Sequence, residues 1–294
     1  MTPRETEGPD PALPQEECQT PLQMTPEQDA TFRAIEELHA IPLESFATVL
    51  RFEAAWNILP HLQSHPLKDQ RWAFRGHANA AWNLEPSIER LGKAYSNSFR
   101  LDAEEYVRKA FKRRAHHYLQ YLPSEREELE WMAMMRHHGA PTRLLDWTRS
   151  PYVAAFFATA EAKKDEESAI WAIDVDAVKA EAIRLLSQSG FIDDPTTSDF
   201  SFSDPDVFER VLLHTTNPAI VAPVQPLRTN ERATSQQGLF LCPNSTMIGF
   251  EFALKQVLKS DRERNEARYR EKYPEEEPLK PERLFKLYIA PEAP

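Results

Sequence analysis

Apolar positions along this chain recur with two periods, helical in the first half and strand-like in the second. Phe32, Ile35 and Leu38 share one helical face behind Thr25-Pro26, where Thr25 is suited to cap and Pro26 to the first turn, and Pro42 ends the segment. A second amphipathic helix is predicted within 51–62 from Ala55, Ile58, Leu59 and Leu62, packing beneath the short apolar stretch 72–75. Tyr106, Ala110, Phe111, Tyr118 and Leu119 keep helical spacing within 102–121. Leu129, Met132 and Met135 repeat it within 127–138, and Gly139 supplies a C-terminal stop. Ser150-Pro151 opens the next helix, and Val153, Ala154, Phe156, Phe157 and Ala158 make it apolar nearly all round, which predicts a buried helix.

Ala169–Val175 is the clearest strand, continuous enough to lie inside a sheet. Ile220–Pro223, Gly238–Leu241 and Leu284–Ile289 are further strands, and 193–206, rich in Pro, Ser, Thr and Asp, reads as an exposed loop. Helices and strands mix without regular alternation, so the expected class is α+β, with one mixed β-sheet and helices around it. The first residues carry Pro3, Pro9, Pro11, Pro14 and Pro21 among Glu, Gln and Thr, a composition that cannot bury enough apolar surface to order itself. The organisation expected is therefore a disordered tail over 1–24 and a single domain over 25–294 with a helical beginning, 25–65.

Charge narrows the partners. Against 46 Asp and Glu stand 35 Lys and Arg, a net charge of −11, which argues against coating nucleic acid through bulk charge. A local basic groove remains in Arg108, Lys109, Lys112, Arg113 and Arg114, whose plainer reading is a solvated helix face. Cys18 and Cys242 lack CxxC spacing, and HExxH, GxSxG and a paired-carboxylate motif are absent, so no metal is expected and zinc or serine hydrolase readings lack their motifs. With no signal peptide at the start and no apolar run near the ~20 residues that cross a bilayer, the expectation is a cytoplasmic protein with no membrane partner.

Chemistry concentrates in two places. Trp72–His77 delivers Arg75 and Gly76 at the end of an apolar strand; a guanidinium at a sheet rim suits phosphate or carboxylate, although it could equally tie down the strand end. Residues 136–158 hold His137, His138, Arg143, Asp146, Thr148 and Ser150 around a Pro-interrupted turn. Arg143 and Asp146, three residues apart, are expected to pair inside that turn, with Trp147 in the core. Ser150 should cap the following helix, and adjacent His137 and His138 point too far apart to share a metal, leaving His138 as the better site candidate. Gln236-Gln237-Gly238 enters a later strand and places an amide at its start.

The triplet Phe74-Arg75-Gly76, the block His138–Thr148 and Ser150-Pro151 after it resemble the FRG-domain family, over roughly residues 43 to 289. The resemblance implies a further segment after the last strand, whereas this chain stops at Pro294, so either the sequence is cut short or this member is short. It allows a role as the toxic component of a bacterial toxin or phage-defence system. The order of a strand arginine, a Thr/Ser element and a polar segment before a strand is similar to that of arginine-type ADP-ribosyltransferases. That likeness implies NAD as cofactor, held by Arg75, Gly76, Arg143 and Thr148, with Thr148 and Ser150 ordering the nicotinamide pocket. His138 and Gln237 would complete the catalytic set, the third position falling to Gln236, Gln237 or Glu231. A glutamine there lacks the charge that stabilises an oxocarbenium-like transition state. The target would be a protein or a nucleic acid. The rival reading is a non-catalytic module whose Arg75, His138 and Arg143 rim recognises a phosphate-bearing ligand, such as a nucleotide, or a partner protein.

Overall fold

The computed structural model describes residues 26–62, 67, 69, 71–92, 97–192, 200–227, 237–278 and 280–291. The N-terminal tail, the Thr25 cap, the first half of the 193–206 loop and the candidates Glu231 and Gln236 lie outside them. Met1–Glu37 and Leu38–Pro294 are two compact units. Helix α1, Pro26–Ala40, begins where the Thr-Pro signal put it.

Among the described residues of 38–294 the protein is α+β, built on one mixed sheet of seven strands. Their spatial order is β1 (Thr48–Phe52), β7 (Leu284–Ile289), β4 (Ser168–Asp174), β2 (Trp72–His77), β3 (Leu145–Thr148), β6 (Gly238–Pro243) and β5 (Val221–Val224). Among the described residues only β1 and β7 run parallel. Alternation along the central strands sorts side chains onto two faces. Trp72, Phe74, Ile170, Ala172, Phe285 and Leu287 turn one way, where they pack with Ile58 and Leu62 of α2 (Ala55–Leu62) and with Ala154 and Ala158 of α6 (Pro151–Thr159). Ala73, Trp171, Ile173 and Leu284 turn the other way into the larger core. That core also takes residues from α5 (Glu128–His137), α7 (Val175–Gln188) and the long C-terminal helix α9 (Phe250–Lys272). The remaining helices are α3 (Ser87–Gly92), α4 (Asn97–Ala115) and the short α8 (Pro205–Val207), which continues as a π-turn over Phe208–Leu213.

Three expectations about this frame need correction. The segment after Arg143 is a strand, β3, not a turn. Helix α6 is not buried all round: only Ala154 and Ala158 are, while Tyr152, Phe156 and Phe157 are 54%, 63% and 41% exposed. Its small residues face the sheet because the helix lies directly on β2, and its aromatic rings are thereby turned outward. The basic run on α4 is neither a groove nor a wholly solvated face. Arg108 and Lys112 both pair with Glu128 of α5, and Lys112 also lies over the Trp131 ring, so these cations hold two helices together.

Candidate functional site

The sheet is well zipped on one side of β2 and barely on the other. Toward β4 the register runs through six pairs, Trp72↔Asp174 to His77↔Ala169. Toward β3 there is one, Phe74↔Thr148. Beyond it the strands diverge and leave backbone groups without ladder partners, an expensive condition unless something else satisfies them. Arg75 does so: its Nη1 donates to the Asp146 carbonyl oxygen at 2.6 Å, and its Nε donates to His77 Nε2 at 3.1 Å. Nη2 makes no hydrogen bond among the described residues.

The opening is the mouth of a cavity of about 1040 Å³. Arg75, Gly76, Asp146 and Thr148 form its strand-borne lining, Arg136, His137 and His138 come from the end of α5, and Trp82, Tyr121, Phe156, Phe157 and Phe240 supply aromatic walls. Burial pushes the Arg75 guanidinium down to about 10, with the Asp146 carboxylate acting the other way, so Arg75 remains cationic at neutral pH. Arg136 donates through Nε to Asp146 Oδ2 at 2.9 Å, with Nη2 on the same oxygen, and through Nη1 to Ser87 Oγ at 3.2 Å. Two guanidiniums thus converge on one residue, Arg75 at its carbonyl and Arg136 at its carboxylate.

His77, beneath this site, is 3% exposed, and burial followed by the neighbouring Arg75 cation lowers its imidazole to about 3. The neutral ring accepts from Arg75 and so helps hold the guanidinium in place. An unfolded chain protonates His77 near 6.5, the folded one only near 3. Its contribution to stability is therefore complete above 6.5 and is lost as pH falls from there toward 3. Comparing melting temperatures across that window should show a steeper decline for the parent than for His77→Gln; parallel curves would refute the assignment.

Of the residues singled out in the sequence, Arg75, Gly76, His138 and Thr148 line this one cavity, whereas Arg143, Ser150 and Gln237 are not among its lining residues. Arg75 is not at a sheet rim, since β2 is an interior strand; the cleft it enters exists because β2 and β3 part. Ser150 is occupied as the α6 cap, its hydroxyl accepting from Val153 N. Thr148 Oγ1 accepts from Ser150 N at 3.0 Å. Gln237 is exposed with φ 49°, and its carbonyl accepts from Arg149 N.

The expected Arg143–Asp146 pair does not form: Arg143 lies ahead of β3 and turns to Glu104, while Asp146 on β3 pairs with Arg136. Arg143 is buried, not on a rim. Its Nε donates to Glu104 Oε2 at 2.7 Å, its backbone N to Glu104 Oε1 at 2.9 Å, and Nη1 to the carbonyls of Leu212 and Asn244. Burial opposes its charge, but the Glu104 carboxylate outweighs that and holds the guanidinium above its ordinary value. Arg143 is thus unavailable to a ligand. Asp146, by contrast, has a side chain 45% exposed. A pair this open is worth little, so Asp146→Ala should cost about 1 kcal/mol or less in urea denaturation, and a loss of several would refute it.

Sequence reasoning missed Arg136, Trp82 and Tyr121. Arg136 stood beside the histidines but had no partner at helical spacing to mark it. Trp82 sits in a turn after β2, where its 53% exposure is the signal, and only the structure supplies it. Residues 70–167 match the family model for the FRG domain. The chain carries an FRG domain. The matched segment runs from the residues before β2 to those before β4 and is shorter than the span over which the resemblance was read. It contains Arg75, Gly76, Arg136, Asp146, Thr148 and all of α6, so the cavity is largely a property of the FRG domain. No curated protein and no solved structure matches the chain. Among the described residues no group of three or more His, Cys, Asp or Glu could hold a metal ion, and no helix is long and apolar enough to cross a membrane.

Proposed function

We propose that the FRG-domain cavity binds a nucleotide-type ligand, its phosphate on Arg75 and its base against the aromatic walls. The observation that carries this reading is the Arg75 guanidinium, fixed by two hydrogen bonds in the open seam between β2 and β3 with Nη2 uncommitted. A guanidinium already held in place loses little entropy on gripping an oxyanion. Arg136 supports it as a second cation whose Asp146 pair is open enough to be exchanged for a phosphate oxygen. Trp82, Phe156 and Phe157 offer flat, partly exposed surfaces of the kind on which bases stack.

A catalytic version of this reading, a transferase or glycohydrolase acting on NAD, draws on one further observation. The Asp146 carboxylate lies in the same cavity as the two arginines, where it would face positive charge developing on a ribosyl carbon. Consumption of a nucleotide pool would be the means by which such a chain served as a toxin or defence effector, whether or not a protein or nucleic acid accepts the transferred group.

The test is titration calorimetry with ADP, ATP and NAD, combined with assay of nicotinamide release. Arg75→Lys should fold normally and lose binding by about tenfold or more, since lysine keeps the charge but not the planar fork. If Arg75→Lys and Arg75→Gln bind like the parent, the cavity is not the site. Binding of NAD without nicotinamide release selects the non-catalytic version.

A further inference from the structure

Outside the cavity, charge is distributed unevenly where α4 ends. Residues 106–123 and 131–145 contain none of the 46 Asp and Glu of this acidic chain. The first stretch carries five cations, Arg108, Lys109, Lys112, Arg113 and Arg114. Arg108 and Lys112 are committed to Glu128 and Lys109 to Glu105, whereas Arg113 and Arg114 are exposed and make no hydrogen bond or ion pair among the described residues. Four glutamates lie between the two stretches. Glu128 holds those two cations, Glu127 accepts from Ser124 N and Glu130 from Leu227 N, which leaves Glu125 as the exposed one. Arg113 and Arg114 are thus two open guanidiniums with little local charge to neutralise them.

Open rings stand beside them. Tyr106, seven residues before Arg113 and so on the same face of α4, is 72% exposed, and Tyr118 in the turn after the helix is 83% exposed. His116 and His117, also exposed, have ring centroids 3.9 Å apart, and His117 lies 6.2 Å from Tyr118. These rings are contiguous rather than scattered, which a face solvated for its charge alone does not require. The strip also reaches the first cavity. Tyr121 follows it in the chain and lines that cavity, as does His138, whose ring lies 6.1 Å from Phe111 of α4. Guanidiniums among flat rings match an unpaired nucleic-acid strand, whose phosphates take the cations and whose bases stack on the rings. An acidic peptide would leave the rings without a role, and a duplex keeps its bases stacked inside.

We infer that the outer face of α4 and the turn 116–121 form a track for single-stranded nucleic acid, whose terminal nucleotide enters the FRG-domain cavity. This rests on the reading of the cavity as a nucleotide site and specifies its substrate class, a nucleotide at the end of a polymer. The end phosphate belongs with Arg75, and the preceding phosphates with Arg113 and Arg114.

The experiment measures fluorescence anisotropy of labelled oligothymidylate and oligouridylate of about ten nucleotides with the full chain, beside calorimetry with ADP. At least one strand should bind about tenfold tighter than ADP, and its affinity should fall as salt rises. Arg113→Glu combined with Arg114→Glu should weaken that strand by about tenfold or more, and Tyr118→Ala by several-fold, with ADP affinity and melting temperature unchanged. Arg75→Lys should weaken strand and ADP alike. Strand binding indifferent to the Arg113, Arg114 and Tyr118 changes, with ADP still sensitive to Arg75→Lys, overturns the track and leaves the nucleotide reading standing. Equal binding of a duplex or of dextran sulfate overturns it in favour of a surface for any polyanion. A strand held through Arg113 and Arg114 but untouched by Arg75→Lys overturns the entry of its end into the cavity. Failure of ADP and both strands to bind overturns both readings.

Discussion

Replacing Glu104 by Ala should destabilise the protein by about 3–5 kcal/mol, the cost of leaving a buried charge without its partner. Glu104 and Arg143 have side chains only 2% and 3% exposed, so water cannot take the place of the lost carboxylate. The loss is not confined to the pair. Arg143 also donates to the carbonyls of Leu212 in the π-turn and Asn244 after β6, so the guanidinium fastens α4, that turn and the end of a strand to the start of β3. Replacing both members by Leu should recover only part of the stability, because the apolar pair removes the stranded charge but still orphans two carbonyls. Equilibrium urea denaturation of Glu104→Ala and of the double variant measures both quantities. A Glu104→Ala protein as stable as the parent would mean that the pair is not closed to solvent.

The same pair marks the limit of what could be read in advance. Helices at 55–62, 128–137 and 151–159 and the four later strands follow from local signals, apolar spacing, a proline after a capping serine and a glycine stop, and such signals survive folding because they are settled within a few residues. Glu104 lies 39 residues from Arg143 and nothing in its neighbourhood sets it apart. Asp146 likewise finds Arg136 only because α5 returns toward β3. Proximity in sequence favoured Arg143 for Asp146, but Arg143 lies ahead of β3 and is taken by Glu104 of α4. Strand β1 and the helices α7 and α9 were not anticipated either. In α9 much of the surface is charged, and burial is confined chiefly to its first half, Phe250 to Asp261, which blurs the apolar spacing. The site was legible in its residue types, Arg75, Gly76, His138 and Thr148. Its geometry was not, because the cleft comes from two strands parting after a single pair, and a sequence carries no mark of where a ladder stops.

Gly76 carries the largest structural prediction of the FRG triplet itself. A side chain there would place Cβ 2.0 Å from the Ala154 carbonyl oxygen and 2.5 Å from Ala158 N, both backbone atoms of α6. No rotamer change relieves a clash with backbone, so the whole helix would have to lift from β2. Ala154 and Ala158, both fully buried, are the matching half of this contact, the small residues that let the helix axis come so near. Gly76→Ala should therefore cost about 3 kcal/mol or more, at or above the upper end of the range for overpacking, and Gly76→Val should prevent folding. The effect should reach the site, since α6 brings Phe156 and Phe157 to the cavity that Arg75 enters. Any Gly76→Ala protein that folds should therefore bind nucleotide more weakly than the parent even though Arg75 is intact. Urea denaturation and calorimetry of the same sample read the two effects together. A variant with parental stability would show that α6 does not rest on β2 at Gly76, and the explanation offered here for the glycine of the triplet would fall.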